Sequence, residues 1–424
     1  MRSFLRLPAV VLAAVVVAQT AVTIMSPRET GPEPAVVSSR EYFTPRQIDR
    51  AQEFRSPQLV LYGMTVAIEL AVLIGLTRRA RRRPGPTHAQ RARVASVARR
   101  PVLAGAATGA AISLALTLAT LPVAAVSRQR AIDVGLSTRS WIGWAQDVLL
   151  DAAIGAALAA IGGAVLVLVL RRFGRAWWAP GAAAVVAFAV VLTYLTPVVI
   201  EPLFNRFTPL PAGTTRTEVL DLAGRAGVQV GQVYVVDASK RTTGANAYVA
   251  GLGATKRVVL YDTLLRDFPP GQVQLVVAHE LGHVHHSDVP RGLLWVAIVA
   301  PFGMLAVARL AERIGPDDWR ARPATAVPAV ALALALVVTA TTTISNQLSR
   351  RVEARADFFS LQLTRDPKTL IAFQQRIARA NVSNPDPPGW ASFLLGTHPP
   401  TLERIGAAVA FEERRSARPR PVRE

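Results

Sequence analysis

Seven apolar stretches, each long enough or nearly so to cross a bilayer, constrain this chain before any motif does. They lie at Pro8–Met25, Gln58–Thr77, Pro101–Val126, Val148–Leu170, Trp177–Ile200, Leu293–Leu310 and Ala324–Ile344. A spanning helix needs about 20 apolar residues, because the hydrocarbon core is about 30 Å thick and leaves no backbone polar group a partner outside the helix. A soluble protein of 424 residues seldom carries so many runs with so few charges as core helices. The stretches are therefore read as membrane spans, although the first, after Arg2 and Arg6, also reads as a signal peptide. Only 18% of residues are charged, against about 25% in a typical soluble domain.

The net charge of +20 first suggests nucleic acid. The positions of the basic residues say otherwise. Nearly all are arginine, and nine of them fall between Arg78 and Arg100 with no acid among them. Arg171–Arg175 repeats the pattern, whereas the loops around Arg28–Arg55 and Arg128–Arg139 carry compensating acids or fewer charges. Short arginine-rich loops are retained in the cytoplasm and can touch anionic headgroups. No aromatic-interleaved basic face accompanies them, so the expected partner is the lipid bilayer and not nucleic acid.

Two polar stretches interrupt the membrane pattern. Residues 201–290 read as a small α/β unit: an amphipathic helix (Arg216–Ala226), a strand (Val233–Ser239), a turn-rich RTTGANAYVAGLG, a second strand (Arg257–Asp262) and a helix from about Gln272. The stretch from Ser345 to the end reads as helices around a loop, Asn384–Trp390, with a basic tail. The expected division is a membrane region with five spans (1–200), a catalytic insert (201–290), the sixth and seventh spans (291–345) and a helical C-terminal region (346–424). The fold class is mainly α: a polytopic membrane protein of about seven spans with a small α/β catalytic domain.

The chemistry lies in VVAHELGHVHHSD, Val276–Asp288. His279 and His283 are four apart, so a helix projects both imidazoles from one face. They can converge on one metal ion with Glu280 beside it to polarise a bound water. The chain has no cysteine, which excludes thiolate ligands and thiol catalysis. A catalytic zinc needs a third protein ligand and an open position for water. Glu353 and Asp357, i and i+4 on a helix in SRRVEARAD, can supply a ligand and a carboxylate that orients a ligating histidine. On spacing alone they are equally a surface pattern with Arg350 and Arg351. His285 and His286 are rival third ligands, disfavoured because three ligands on one straight helix fit a tetrahedron poorly. His398, fixed by Pro399 and Pro400, could donate to an oxyanion or be a plain loop histidine. Glu69, inside the second span, could line a water-filled chamber, snorkel or pair with an arginine.

HELGH (His279–His283), SRRVEARAD (Ser349–Asp357), THPPTLERI (Thr397–Ile405), EPLFNRFTPLP (Glu201–Pro211) and NAYVAGLGATKRVVLYDTLL (Asn246–Leu265) together resemble the type I CAAX prenyl endopeptidase family. These are seven-span membrane zinc proteases of the gluzincin kind. The resemblance implies one Zn2+ per chain, with Glu353 as its third ligand and Asp357 as the partner of a ligating histidine. It also implies that His398 and Arg404 contact the oxyanion and substrate. The segment NAYVAGLG would lie beside the metal and pair its backbone with an extended peptide or membrane-protein substrate, Asn246 and Ala247 nearest. Glu280 would take the water proton and pass it to the leaving amine.

The rival readings are a heat-shock-type membrane quality-control protease, which has fewer spans, and a non-enzymatic scaffold or transporter with a structural metal site. Arginine usage points to a bacterial cell membrane, where prenylated peptides are not expected. Sidedness divides the indications. The charge rule places residues 201–291 outside, whereas the resemblance implies a site facing the cytosol and the basic tail (Arg414, Arg415, Arg418, Arg420, Arg423) favours that side. A miscounted first or sixth span would reconcile them.

Overall fold

The computed structural model describes residues 6–82, 100–251 and 256–417. Most of the basic connection between the second and third spans, including His88, lies outside the described residues, as does the end of the tail with Arg418, Arg420 and Arg423.

Seven helices among the described residues are long and apolar enough to cross a membrane, as the apolar runs led one to expect. Five precede the sheet: α1 (Arg6–Met25), α2 (Pro45–Arg82), α3 (Pro101–Asp133), α4 (Trp141–Phe173) and α5 (Trp178–Leu195). The fifth span continues through a π-helical turn at Thr196–Ile200 to Phe204. Two shorter helices, α6 (Thr214–Arg225) and α7 (Pro270–His285), pack on the sheet. The last two spans are α8 (Asp288–Ile314) and α9 (Val327–Thr364), and α10 (Pro367–Ala380), α11 (Gly389–Leu395) and α12 (Thr401–Ala417) close the chain. Several spans outrun their apolar runs because polar turns extend them; α4 begins where the Ser140 hydroxyl accepts from Gly143 N–H at 3.1 Å.

The bundle uses small residues where helices must approach closely. A Cβ added to Gly105 of α3 would sit 2.5 Å from the Gly163 carbonyl oxygen of α4, and one added to Gly109 would strike that of Ala159. With lipid as apolar as leucine, such close packing, not hydrophobic transfer, holds spans together.

The sheet has strands β1 (Phe207–Pro209), β2 (Gln232–Val236), β3 (Ala247–Ala250) and β4 (Arg257–Tyr261) in the order β1-β2-β4-β3. β2 and β4 run parallel at the centre, and β1 and β3 are antiparallel edges. This corrects the turn-rich reading of RTTGANAYVAGLG. Ala247–Ala250 becomes a strand because β4 offers it a ladder, Ala247 opposite Leu260 and Ala250 opposite Arg257. One core of Val219, Leu222, Val233, Val258, Leu260, Leu275 and Leu281 joins sheet, α6 and α7.

Polar contacts dock this domain on the bundle. Arg241, just before β3, donates to both oxygens of Asp147 on α4 (3.0 and 3.2 Å) and to Asn205 Oδ1 (3.0 Å). The Tyr248 hydroxyl of β3 donates to Glu201 Oε2 at 2.6 Å, at the end of the fifth span. Arg55 of α2 donates to the carbonyls of Asn381 and Val382 (2.6 and 2.8 Å).

Candidate active site

Helix α7 starts on Pro270, whose fixed φ suits a first turn, and buries most of its length from Gln272 to Gly282. Gly282 lets it lie against α9: a Cβ there would stand 3.1 Å from Phe359 Cδ1. Helix α9 is the seventh span and runs on unbroken through Ser345 to Thr364, so the downstream acids stand on the same rod as the membrane segment. Glu353 and Asp357 are buried, at 9% and 3% exposure, which removes the surface-pattern reading. Arg350 faces elsewhere, donating to the carbonyls of Ser392 and Gly396 (2.9 and 2.7 Å) and thereby holding the segment that leads to His398.

Three side chains converge. His279 Nε2 lies 3.2 Å from His283 Nε2 and 3.2 Å from Glu353 Oε2, and His283 Nε2 lies 3.6 Å from Glu353 Oε1. Each imidazole turns its Nδ1 to a carboxylate, His279 to Asp357 Oδ1 at 2.9 Å and His283 to Asp288 Oδ2 at 3.0 Å. Carboxylates accept, so both Nδ1 atoms carry the proton and both Nε2 atoms present lone pairs to each other and to Glu353. Glu353 Oε2 is buried without a hydrogen-bond donor. Acceptors this close need a cation between them. Ligands of a tetrahedral ion at ~2.0–2.1 Å would stand about 3.3 Å apart, close to the spacings observed. Burial alone would depress the His279 pKa, yet the carboxylates of Asp357 and Glu353 beside it favour the charged form and push it up to about 10. The pocket thus favours positive charge at this point, and the residues present fit a metal ion.

A second layer fixes the first. Arg404 of α12 donates twice to Asp357 (2.7 and 2.6 Å), orienting the carboxylate that orients His279. Asp288 does the same for His283 and is held in turn by Arg355. The reading of the motif had not singled out Asp288. It reaches back because Ser287 adopts the left-handed conformation (φ 55°), turning the chain sharply after α7. His398 Nε2 lies 3.4 Å from Glu353 Oε2, while its Nδ1 meets the Thr397 hydroxyl at 2.9 Å. If that hydroxyl donates, Nε2 carries a proton facing the site. Burial raises the Glu280 pKa above the ordinary carboxylate value. His285 and His286 stand apart: His285 Nδ1 approaches the Ala226 carbonyl (3.0 Å) and both rings pack on Phe359.

All this opens on a cavity of about 1470 Å³. Asn246, His279, Glu280, His398 and Arg404 line its catalytic side, and Gln58, Tyr62, Thr339, Thr342 and Asn346 line the part between the spans. Tyr62, Gly63 and Val66 face it from the second span, and Glu69, one turn on, is not among its lining residues. Asn246 immediately precedes the edge strand β3, with its carbonyl accepting from Tyr261 N–H at 3.1 Å.

Residues 209–412 match the family model Peptidase family M48, and residues 87–206 match CAAX prenyl protease N-terminal, five membrane helices. An uncharacterized metalloprotease of Bacillus subtilis is 30% identical over 312 residues, spanning 71% of this chain and 72% of that protein. The chain belongs to peptidase family M48. It is a multi-pass integral membrane metalloendopeptidase, as the seven apolar runs and HELGH together led one to expect. This M48 chain is also similar to a CAAX prenyl protease 1 homolog of Oryza sativa (33% identity; 52% of this chain, 53% of that one). CAAX prenyl protease 1 of Saccharomyces cerevisiae is 38% identical over 31% of this chain and 30% of its own. The chain thus spans 53% and 30% of these two CAAX prenyl proteases. The crystal structure of S. mikatae Ste24p has the same fold, with a TM-score of 0.70 at 17% identity, covering 96% of this chain and 99% of that one.

Proposed function

We propose that His279, His283 and Glu353 hold one zinc ion per chain and that this M48 protease cleaves extended polypeptide segments, from peptides or membrane proteins, at Glu280. The observation that carries the reading is the convergence of three lone-pair atoms beside Glu280 at the head of a chamber. Two imidazoles and a carboxylate, with no thiolate, suit zinc, and three protein ligands leave a position open. When bound, the ion supplies Lewis-acid polarisation of a carbonyl and a more acidic water. Glu280, its pKa raised by burial, is a stronger base toward that water than an exposed carboxylate. It accepts the proton and delivers it to the leaving nitrogen. His398 donates from Nε2 to the oxygen that gains charge at the attacked carbonyl. Asp357, Asp288, Arg404 and Arg355 keep the imidazoles in the tautomer that ligation needs.

Substrate binding falls to β3. Its outer edge carries no strand partner among the described residues, and Asn246, at the start of that edge, lines the chamber, whereas Ala247 next to it is buried in the sheet core. An extended peptide added there pairs with the backbone and presents alternate side chains to the site. Relatives named CAAX prenyl protease 1 suggest C-terminal segments of membrane-associated proteins as one source. The test is hydrolysis by purified protein in detergent. Phenanthroline should abolish cleavage and an equivalent of zinc should restore it; cleavage that survives full chelation contradicts the proposal.

A further inference from the structure

A second pocket, of about 710 Å³, lies away from the metal site, where the end of the first span meets the seventh. Its walls come from residues between Thr23 and Thr30 and from Arg351 of α9. Packing fixes its shape. The Gln19 and Gln347 amides pair reciprocally (3.5 and 3.3 Å), and Gly31 lies against Phe358. The end of α1 and the segment after it therefore run beside α9 in the same direction. Gly31 has φ 87°, and a Cβ there would stand 2.7 Å from Phe358 Cδ2, so glycine is what lets the chain come this close. Gln347, Arg351 and Phe358 follow one another at helical spacings of four and seven, on one face of α9. Arg351 thus stands between two fixed points of the same seam.

The pocket is basic on one side and apolar on the other. Arg28 and Arg351 both line it, and neither has an ion-pair or hydrogen-bond partner among the described residues. Glu29, between Arg28 and Thr30, pairs with neither. The hydroxyls of Thr23 and Ser26 donate to the carbonyls of Gln19 and Val22 (3.0 and 2.7 Å), so the side-chain donors left for a ligand are the two guanidiniums and the Thr30 hydroxyl. Guanidiniums meet phosphate oxygens with paired, charge-assisted hydrogen bonds. Ile24, 77% exposed, and Pro27 supply the apolar wall. Depth is fixed by the two helices together. One turn beyond the amide pair, Thr23 and Arg351 stand level, and the apolar run of α1 continues past that level to Met25. The apolar run of α9 stops at Ile344, seven residues or about 10 Å before Arg351. The headgroup layer is roughly 5–8 Å thick on each side of the hydrocarbon. Arg351 and Arg28 therefore flank the plane of the lipid phosphates, where an unpaired charge is costly unless a counter-charge meets it.

We propose that this pocket binds the headgroup of an anionic glycerophospholipid, with Arg28 and Arg351 on its phosphate, Thr30 donating beside them, and Ile24 against the start of an acyl chain. A free phosphate ion shares the charge, but it makes no use of the apolar wall and is not concentrated at this depth. Bound there, the lipid bridges α1 to α9 at the seam between Gln347 and Phe358. The site is separate from the chamber, and its occupation does not depend on the proposed peptidase activity.

The absence of cysteine makes the test local, because a single introduced thiol is the only one labelled. Thr23→Cys places it on the exposed wall of the pocket. In full-length protein purified in a non-ionic detergent, dihexanoyl phosphatidylglycerol should slow the reaction of this thiol with a maleimide. Dihexanoyl phosphatidylcholine should protect less at the same concentration, and inorganic phosphate not at all. Adding Arg28→Gln and Arg351→Gln should raise the half-protecting concentration of phosphatidylglycerol by about thirtyfold, the loss expected for two arginines facing an anionic lipid surface. Each single Gln variant should give an intermediate shift, and Arg28→Lys with Arg351→Lys should restore most of the protection, which a merely misfolded Gln pair would not explain. Equal protection by phosphatidylcholine or by inorganic phosphate overturns the anionic lipid as occupant. No protection by any of the three, or protection unchanged in the Gln pair, overturns the site.

Discussion

Replacing Glu280 by Gln is expected to lower kcat for peptide hydrolysis by about 10²–10⁴-fold, the range for loss of a positioned acid–base group. Metal content should stay at one equivalent, because Glu280 is not among the three converging ligands. The amide keeps the shape of the side chain and removes its basicity. Peptide binding on β3 should also persist, so KM should change far less than kcat. Zinc analysis of the purified variant beside its single-turnover rate checks both halves. Hydrolysis near the parental rate with zinc retained would show that another group takes the water proton.

Replacing Glu353 by Ala should act at the earlier stage of metal binding. Two imidazoles remain, and His279 and His283 alone leave two of four positions to solvent. Stoichiometric zinc should be lost on dialysis and hydrolysis should fall to background. Asp357→Asn offers a graded comparison. It leaves all three ligands but removes the acceptor charge shared by His279 and Arg404, and metal affinity is expected to fall about 10–100-fold. Competition with a chromogenic chelator orders the three proteins: parent tightest, Asp357→Asn weaker, Glu353→Ala without measurable binding. An order with Asp357→Asn below Glu353→Ala would exchange the roles of ligand and partner.

These two residues also show how far the sequence can be read. His279, Glu280 and His283 are legible because a helix converts spacing of one turn directly into a shared face. Glu353 lies seventy residues further on; its i, i+4 spacing with Asp357 made the pair candidates equally with a surface pattern, and only the family-like block chose Glu353 as the ligand. Its burial and its distance from His279 come from the packing of α7 on α9, where Gly282 admits Phe359. Asp288 was visible as a letter and not as a partner, since its contact with His283 needs a left-handed Ser287 that no periodicity signals. The strand β3 was read as a turn for a related reason: four residues flanked by Gly and Asn have little strand character until β4 supplies the ladder. Asp147 and Arg241, ninety-four positions apart, meet only once span and sheet are docked. The seven spans were the most legible feature because the bilayer admits so few alternatives.

Diffraction data collected on either side of the zinc absorption edge would test whether His279, His283 and Glu353 hold zinc. One anomalous peak per chain is expected, about 2.0–2.1 Å from His279 Nε2 and His283 Nε2 and within about 2.2 Å of a Glu353 oxygen. No peak there in protein saturated with zinc, or a peak held instead by His285 and His286, would contradict it.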